Sequence, residues 1–406
     1  MKVLIVNHYA SPPSLGISGR HHILAQQLVN HGHEVLILAS SNHPYIDESY
    51  TPPKTPSIFE EESVKYLILS SYNYTGNGIG RLLNILTFAW NAVQAFKRQN
   101  LFIPDIVIGS SVHPFAALAG ERIARQYGIP FCFEVRDFWP QTLIDMKVLS
   151  KRHPLSVIFY KIENYLYKTA QRTIVLLPYG HEYICNLGIP KEKIQYIPNG
   201  IDLDGFINVT PPQQETGEAF KVMYLGSFGP ANNLETLLAA ALLLKQDTAV
   251  NWYLIGDGPE KERLKNKVQQ LHLDNVFIQE RVPKSHVPQL LMNTDALIFH
   301  LLKVDVFKYG ISPNKLFDYL ASFRPIVYAC NARNNPVADV QAGLSISPED
   351  PKAMAHAVKQ LASMSLEERN LMGQNGRSYV EEHHDYKNLG NTLHQLLADV
   401  TEEFTV

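Results

Sequence analysis

The chain has 406 residues, which is longer than one typical domain and predicts two or more. Hydrophobic residues make up 45% and charged residues 18% of it, which excludes a disordered chain, and no apolar run is long enough to span a bilayer. The net charge of −3 provides no basic field for nucleic acid, and three scattered cysteines exclude a disulfide framework and favour a reducing cytosol.

The first half of the chain alternates between apolar runs typical of strands and helical runs. Lys2–Asn7 predicts the first buried strand, because it is too short for the core of a signal peptide. A loop containing Gly16 and Gly19 and a helix from Arg20 to Asn30 follow it. Further strands are predicted at Glu34–Ala39, Val64–Leu69, Asp105–Gly109, Phe131–Val135 and Arg172–Leu177. This alternation predicts a Rossmann-like domain, a parallel sheet covered by helices on both faces.

The alternation restarts after Asn208–Gly217, a polar, proline-rich segment that predicts a linker. Strands are predicted at Lys221–Gly226, Asn251–Gly256, Asn275–Gln279, Ala296–Leu301 and Ile326–Ala329, and helices from Asn233, Glu260 and Ser312. The predicted domains are therefore 1–207 and 208–384, with a C-terminal helix at 385–406 that joins the first domain. The fold class is α/β, with two facing, doubly wound parallel sheets and a cleft between them where strand ends bind ligands.

The segment Tyr309–Leu320 carries the strongest indication of function. Ser312 suits the N-cap of a helix and Pro313 its first position. A helix start presents unpaired N–H groups and a positive dipole end, which suit a phosphate. Gly310 allows a ligand to approach the backbone N–H groups of Gly310 and Ile311. Lys315 opposes the helix dipole, so a bound anion explains it better than helix stability does.

The same helix places a carboxylate one turn beyond the predicted anion site. Asn314 and Asp318 share a face, and Asp318 can accept two hydroxyl hydrogen bonds. A nucleoside diphosphate followed by its ribose diol has this shape. The alternative is an ordinary capped helix with a Lys315–Asp318 pair.

Further candidates follow predicted strands in both domains. Gly19 would allow close approach of a diphosphate ligand, and Arg20 would face it, unless the two are a loop glycine and a solvated arginine at a helix start. Gly226 and Ser227 follow the first strand of the second domain. Arg281 could reach a phosphate or form a surface ion pair.

Arg136 and Asp137 follow a buried strand and precede a proline-containing loop. They are candidate catalytic residues, because Asp137 can accept a proton or orient a hydroxyl group. An internal Arg136–Asp137 pair that secures the loop is the alternative. The histidines lack partners at metal-ligand spacing, so no metal site is predicted.

Several runs resemble the retaining glycosyltransferases of family 4, over nearly the whole chain. They are the Gly16–Arg20 loop, Asn30–Val35, Ile197–Asp202, Tyr224–Gly226, Leu254–Pro259 and Ser312–Tyr319. Together with Arg136–Pro140, these runs look most like the subgroup that builds bacterial surface polysaccharides from amino- or deoxy-sugars. The resemblance implies the GT-B architecture, a nucleotide-sugar donor, usually UDP-linked, in the second domain, and an acceptor in the first. It also implies transfer without an obligatory metal or other cofactor.

The chain departs from the family pattern at two places. The paired glutamates of the family, eight positions apart, correspond to Gly310 and Asp318, so one donor-sugar contact is lost. The family's Arg and Lys beyond Gly226 correspond to Ser227 and about Asn232, which removes the usual diphosphate clamp. Lys315 is therefore the first candidate, ahead of Lys308 and Arg281, for the cation that stabilises the leaving diphosphate.

Two basic, aromatic segments, Arg81–Arg98 and Lys151–Lys168, are typical either of peripheral membrane helices or of core-facing helices with a basic edge. A membrane contact would suit a glycan or polyprenyl-diphosphate-linked acceptor and a location at the inner face of the membrane.

Two other functions remain open at this stage, a UDP-sugar 2-epimerase and an inactive subunit that binds nucleotide sugars. The sequence disfavours a NAD-dependent oxidoreductase, because neither glycine-containing loop completes the Gly-x-Gly-x-x-Gly pattern.

Overall fold

A computed structural model describes residues 1–16, 19–47, 50–51, 58–74, 76, 78–98, 102–111, 113–207, 219–246 and 250–405. The predicted linker at Asn208–Gly217 and residues 17–18 of the first glycine loop lie outside the described residues.

The described strands are β1 Lys2–Val6, β2 Glu34–Ser40, β3 Ile58–Glu61, β4 Val64–Leu69, β5 Ile106–Ser110, β6 Phe131–Val135, β7 Arg172–Val175, β8 Ile194–Tyr196, β9 Phe220–Leu225, β10 Val250–Ile255, β11 Val276–Gln279, β12 Ala296–His300, β13 Ile326–Ala329 and β14 Gly343–Ile346. The described helices are α1 Arg20–Asn30, α2 Ile79–Arg98, α3 Pro114–Tyr127, α4 Gln141–Asp145, α5 Pro154–Thr169, α6 Gly180–Cys185, α7 Glu235–Leu243, α8 Lys261–Gln270, α9 Val287–Met292, α10 Asn314–Ala321, α11 Pro336–Asp339, α12 Pro351–Ser363, α13 Leu366–His383 and α14 Tyr386–Thr405.

The chain forms two compact units, one of Met1–Asn199 with Tyr386–Val406 and one of Gly200–Asp385. The second unit begins at Gly200 rather than at the predicted residue 208. The reason is local, because the Ile201 N–H donates to the His384 carbonyl at 2.8 Å. Ile201 and Phe206 also pack in a core cluster of that unit.

The sheet of the first unit has the strand order β3-β4-β2-β1-β5-β6-β7-β8. Its central strands are buried along their length, as expected of a parallel sheet covered on both faces. The predicted parallel sheet is confirmed except at one edge, where β3 runs antiparallel to β4. Glu62 and Ser63 explain this strand, because both have a positive φ and form the two-residue turn of a hairpin.

The sheet of the second unit is parallel throughout its described strands, in the order β11-β10-β9-β12-β13-β14. The sequence pattern did not predict β14 here, nor β3 and β8 in the first unit. These three are short and lie at sheet edges, where partial exposure weakens an apolar pattern.

The C-terminal helix α14 completes the first unit. One face of α14 carries Leu389, Leu393, Leu397 and Val400, which are buried with Leu28 of α1 in one core cluster. Gly390 allows this close approach, since a Cβ there would lie 2.3 Å from the Cβ of Gln27. Among the described residues, no helix is both long enough and apolar enough to cross a membrane.

Candidate active site

The strand order of the second unit reverses between β9 and β12, which identifies its ligand-binding edge. β9 leads to β10 on one side, and β12 leads to β13 on the other. In open α/β sheets, ligands bind at the carboxyl ends of the two strands that flank such a point. Gly226 and Ser227 follow β9, and α10 follows β12 after a connection formed by residues 301–313.

A hydrogen-bonded turn follows β9 at this edge of the sheet. The Ser227 carbonyl accepts hydrogen bonds from the Tyr224 hydroxyl at 2.7 Å and from the Asn232 amide at 3.0 Å. Gly226 has a φ of 158°, and a Cβ there would lie 3.4 Å from the Cδ atom of Lys315. A Cβ at Gly226 would therefore contact the lysine stem and lie 3.3 Å from the Tyr224 hydroxyl.

Lys315 lies at the centre of this arrangement. Its Nζ atom donates to the Tyr224 hydroxyl at 3.2 Å and to the Asn232 side-chain oxygen. The ring centroids of Tyr224 and Phe299 lie 4.7 and 5.1 Å from the Nζ atom. Part of the side chain reaches solvent, yet the surrounding protein lowers the pKa of Lys315 to about 7. The lysine thus reaches Asn232, one of the two positions where the expected diphosphate clamp is missing.

The start of α10 differs from the prediction. The helix begins at Asn314, Pro313 takes the N-cap position, and no side chain caps it. The predicted N-cap role of Ser312 is therefore wrong, because the helix begins one residue later than expected and Pro313 is the N-cap residue. The uncapped start still leaves N–H groups for solvent or a ligand.

Gly310 and Ile311 lead into this helix. Gly310 has φ 85° and ψ 178°, a conformation essentially restricted to glycine, so a glutamate would be strained there. The Ile311 N–H donates to the Asn334 side-chain oxygen at 2.8 Å, and the Asn334 amide returns a bond to the Ile311 carbonyl at 2.9 Å. The Ile311 N–H therefore has a partner within the unit, as does the Gly310 N–H, which donates to the Phe307 carbonyl at 2.9 Å. The donor-binding role of Gly310 and Ile311 stays a prediction.

Asp318 is half-buried one turn beyond Asn314, which is exposed. Burial raises the pKa of Asp318 to about 6, and the charge of Lys284 partly opposes this rise. The adjacent Tyr319 hydroxyl accepts from the Leu225 N–H at 2.8 Å and donates to the Leu225 carbonyl at 2.9 Å. These bonds attach α10 to the end of β9.

Arg281 follows β11 and is exposed. Its neighbour Glu280 pairs with Lys261 and Lys265. Arg281 forms no hydrogen bond or ion pair with the described part of the chain. The surface ion pair considered from the sequence is therefore not formed, and Arg281 remains a candidate for phosphate contact.

The first unit contains the remaining candidates. Gly19 is the N-cap residue of α1, and a Cβ there would have no described atom within 4 Å. Arg20 is buried instead of facing a ligand. It donates to Glu134 at 2.8 Å, to the Ile197 carbonyl at 3.0 Å and to the Pro198 carbonyl. The prediction that Arg20 faces a diphosphate is wrong, because its charge is neutralised inside the unit.

Arg136 and Asp137 follow β6 at the carboxyl edge of the first sheet. The Arg136 N–H donates to the Ser111 hydroxyl at 3.1 Å, which holds the backbone of the loop. Asp137 is exposed, and the two side chains form no ion pair with each other among the described contacts. The pair therefore does not secure the loop, and both groups are available to a ligand.

Two protein-family models match most of the chain. The model named Glycosyltransferase Family 4 matches residues 16–204, and the model named Glycosyl transferases group 1 matches residues 219–364. The chain is a family 4 glycosyltransferase with the GT-B fold.

Relatives of this glycosyltransferase agree with that assignment. The chain is 20% identical over 351 residues to WbjE of Pseudomonas aeruginosa, described as a probable glycosyltransferase. The aligned region covers 81% of this chain and 84% of WbjE. The fold resembles sucrose-phosphate synthase from Thermosynechococcus elongatus, with a TM-score of 0.75, 17% identity and 99% of each chain covered. It also resembles Anabaena Alr3699/HepE in complex with UDP-glucose, with a TM-score of 0.67, 14% identity, and 98% and 100% of the two chains covered.

Sequence reasoning missed several residues of the glycosyltransferase site. Tyr224, Tyr319 and Asn334 form hydrogen bonds there that only the packed sheet reveals. Buried His300 donates from Nδ1 to the Asn232 carbonyl at 2.9 Å, and its Nε2 atom accepts from the Glu349 N–H at 3.0 Å. The position of Tyr224 and His300 near the ends of predicted strands was the available signal.

No group of three or more histidine, cysteine or acidic side chains in the described part of the glycosyltransferase has the arrangement of a metal site. The metal-independent reaction remains a prediction.

Gly19 of the glycosyltransferase offers a test of close ligand approach. Gly19→Ala is expected to leave the melting temperature unchanged, since the added Cβ meets no described atom, and to raise the donor KM about tenfold. Gly16→Ala is the contrast, because its Cβ would lie 2.1 Å from the Tyr45 carbonyl and would lower the melting temperature. An unchanged KM in Gly19→Ala would contradict the role of Gly19.

Acid is expected to destabilise the first unit of the glycosyltransferase through buried histidines. Burial lowers the pKa of His43 to about 4 and that of His113 to about 3. In the unfolded chain both titrate near about 6.5, so the stability that they contribute is present above that pH and is lost as pH falls towards 4. Between pH 7 and pH 5, each of these two histidines is expected to lower the free energy of unfolding by about 2 kcal/mol.

Melting curves at pH 7 and pH 5 measure this loss. His113→Asn keeps an N-cap acceptor for α3, whose Ala116 N–H bonds the His113 ring, and is expected to reduce the pH dependence. An equal loss in wild type and variant would show that other groups are responsible.

Proposed function

We propose that this glycosyltransferase moves a sugar from a UDP-linked donor to a hydroxyl group of a glycan or polyprenyl-diphosphate-linked acceptor, with retention of anomeric configuration, in surface polysaccharide biosynthesis. The observation that carries the proposal is Lys315, held by Tyr224 and Asn232 beside the uncapped start of α10. UDP is the preferred nucleotide because a structure of similar fold, HepE, holds UDP-glucose.

Charge stabilisation at the leaving group is the main catalytic effect in this proposal. Negative charge grows on the β-phosphate as the glycosidic bond breaks. The Lys315 ammonium and the first N–H groups of α10 would neutralise it, so a metal ion is not required. Asp318 would hold the ribose hydroxyls of the same nucleotide.

Arg136 and Asp137 are assigned to the acceptor side of the reaction. Asp137 is exposed and forms no ion pair with Arg136, so its carboxylate can orient an acceptor hydroxyl. We assign no covalent nucleophile. The hydroxyl would attack from the face that the diphosphate leaves, and the departing diphosphate would take the hydroxyl proton.

In this proposal the enzyme acts in the cytoplasm at the inner face of the membrane, because a polyprenyl-diphosphate-linked acceptor holds its sugars at a bilayer surface. Nothing specific favours the 2-epimerase or the inactive subunit.

A screen of nucleotide sugars by thermal shift, followed by product analysis, tests the proposal. A donor at a hundred times its dissociation constant adds about 2.7 kcal/mol of stability. The donor found in this way is then incubated alone and with acceptor lipids. NMR of the product is expected to show the donor's anomeric configuration. An inverted linkage would exclude the mechanism, and conversion of the donor without an acceptor would indicate an epimerase.

A further inference from the structure

Three helices form one layer on the first unit. α2 packs against α3, and α3 packs against α5. They connect β4 to β5, β5 to β6 and β6 to β7, successive steps in one direction across the sheet. Right-handed crossovers in one direction place their helices on the same face, whereas α1 crosses in the opposite direction and packs with α14. We call the solvent-exposed side of α2, α3 and α5, with the 146–153 loop before α5, the outer face.

Every exposed charged side chain that the structure describes on this outer face is positive. α2 contains no aspartate or glutamate, and the chain has none between Glu62 and Asp105. The one acidic residue of α3, Glu121, is 4% exposed, and that of α5, Glu163, is 3% exposed. The exposed cations are Arg122 and Arg125 of α3, Lys161 and Lys168 of α5, and Lys147, Lys151 and Arg152 of the loop. This contrasts with a chain whose net charge is −3.

Large apolar side chains are exposed on the same face. Ile79, Leu83, Leu86 and Trp90 follow one line along α2 at spacings of four, three and four residues, and Trp90 is 67% exposed. The opposite side of α2 carries Phe88, which is fully buried in the core. Packing in the core therefore explains the apolar residues of that side and leaves the exposed line unexplained. The outer face also exposes Val148 before α5 and Ile158 within it.

We propose that this outer face docks the glycosyltransferase on a bilayer of anionic lipids. Apolar side chains with a tryptophan enter the headgroup boundary, and lysine and arginine attract the negative surface. Arg122 and Arg125 share the buried Glu121 carboxylate, and Lys147, Lys151, Arg152, Lys161 and Lys168 form no ion pair within the part of the chain that the structure describes. An anionic bilayer fits better than a protein partner because the face combines these exposed cations with an exposed apolar line. The inference deepens the membrane location given in the proposed function and rests on it, because it names the surface that makes the contact. It uses the exposed side chains of the first unit and assumes nothing about donor or linkage.

Co-sedimentation of the full chain with vesicles tests the proposal. The protein is expected to bind phosphatidylcholine vesicles that contain phosphatidylglycerol, to bind phosphatidylcholine alone far more weakly, and to dissociate at high salt. Lys151→Glu/Arg152→Glu is expected to lower the partition coefficient by at least about 25-fold, since each lost cation contributes about fivefold and each added glutamate is repelled by the anionic surface. Trp90→Ser is expected to lower it by about tenfold.

Lys191→Glu/Lys352→Glu is the matched control, because it changes the net charge equally at exposed lysines outside the outer face. It is expected to bind within about twofold of wild type. Equal loss in the control, or no binding to the anionic vesicles, would overturn the proposal. A dimer that Trp90→Ser dissociates would also overturn it, because the apolar line would then join two copies.

A second readout separates this proposal from the proposed function. UDP release with a water-soluble acceptor is expected to be the same in wild type and in Lys151→Glu/Arg152→Glu. Vesicle binding without sugar transfer would contradict the proposed function alone, and transfer without vesicle binding would contradict the docking surface alone.

Discussion

Replacing Lys315 by methionine is expected to lower kcat by about 10²- to 10³-fold, the loss typical of removing one group that stabilises charge in a transition state. Methionine matches the length of lysine and can occupy the space beside the rings of Tyr224 and Phe299. The change therefore removes the ammonium group while leaving the apolar contacts of the side chain in place. Steady-state rates of UDP release measure the effect.

Lys308→Met is the matched control for this prediction. Lys308 is an exposed lysine near the same helix, with its Nζ atom 5.0 Å from the Tyr309 ring centroid. The control loses the same charge and is expected to keep kcat within about threefold. A loss of less than tenfold in Lys315→Met, with an unchanged melting temperature, would show that Lys315 does not stabilise the leaving diphosphate.

A bell-shaped pH dependence of kcat/KM is the second large effect that we expect. The carboxyl of Asp318 has a pKa raised to about 6, so it is ionised and accepts ribose hydrogen bonds above that pH. The ammonium of Lys315 has a pKa lowered to about 7, so it is charged below that pH. Both requirements are met between about 6 and 7, and kcat/KM should fall about tenfold per pH unit on either side.

Single substitutions assign the two limbs of this curve. Asp318→Asn should remove the acid limb and raise the dissociation constant of the donor by about 10- to 100-fold, because hydrogen bonds to a charged acceptor are lost. Lys315→Met should remove the alkaline limb. A nucleotide sugar, rather than UDP, must be used, so that no terminal phosphate titrates in the same range. Survival of the acid limb in Asp318→Asn would assign it to another group.

The sequence predicted the two sheets and their helices because buried parallel strands give continuous apolar runs. It also placed Gly226, Lys315 and Asp318 beside strand ends, since a strand end is visible in the pattern. It could not predict the burial of Arg20, because its partners Glu134 and Pro198 are distant in sequence. The role of Arg136 and Asp137 remains a prediction.

The details of the α10 start also depend on geometry that a pattern does not contain. Serine followed by proline is compatible with a cap at Ser312, yet the structure begins the helix one residue later. From the sequence, Gly310 was interpreted as the loss of a glutamate that the family pattern has at this position. Its φ of 85° shows instead that the backbone path itself requires glycine there.

The return of α14 to the first unit has a consequence for the order of folding. The chain leaves the first unit after Asn199 and re-enters it at Tyr386. During synthesis, the apolar surface that later meets Leu393 and Leu397 stays open until the whole second unit has been translated. The nascent first unit therefore exposes this apolar surface while the second unit is being synthesised. A truncated chain ending at Asn199 should aggregate or require chaperones.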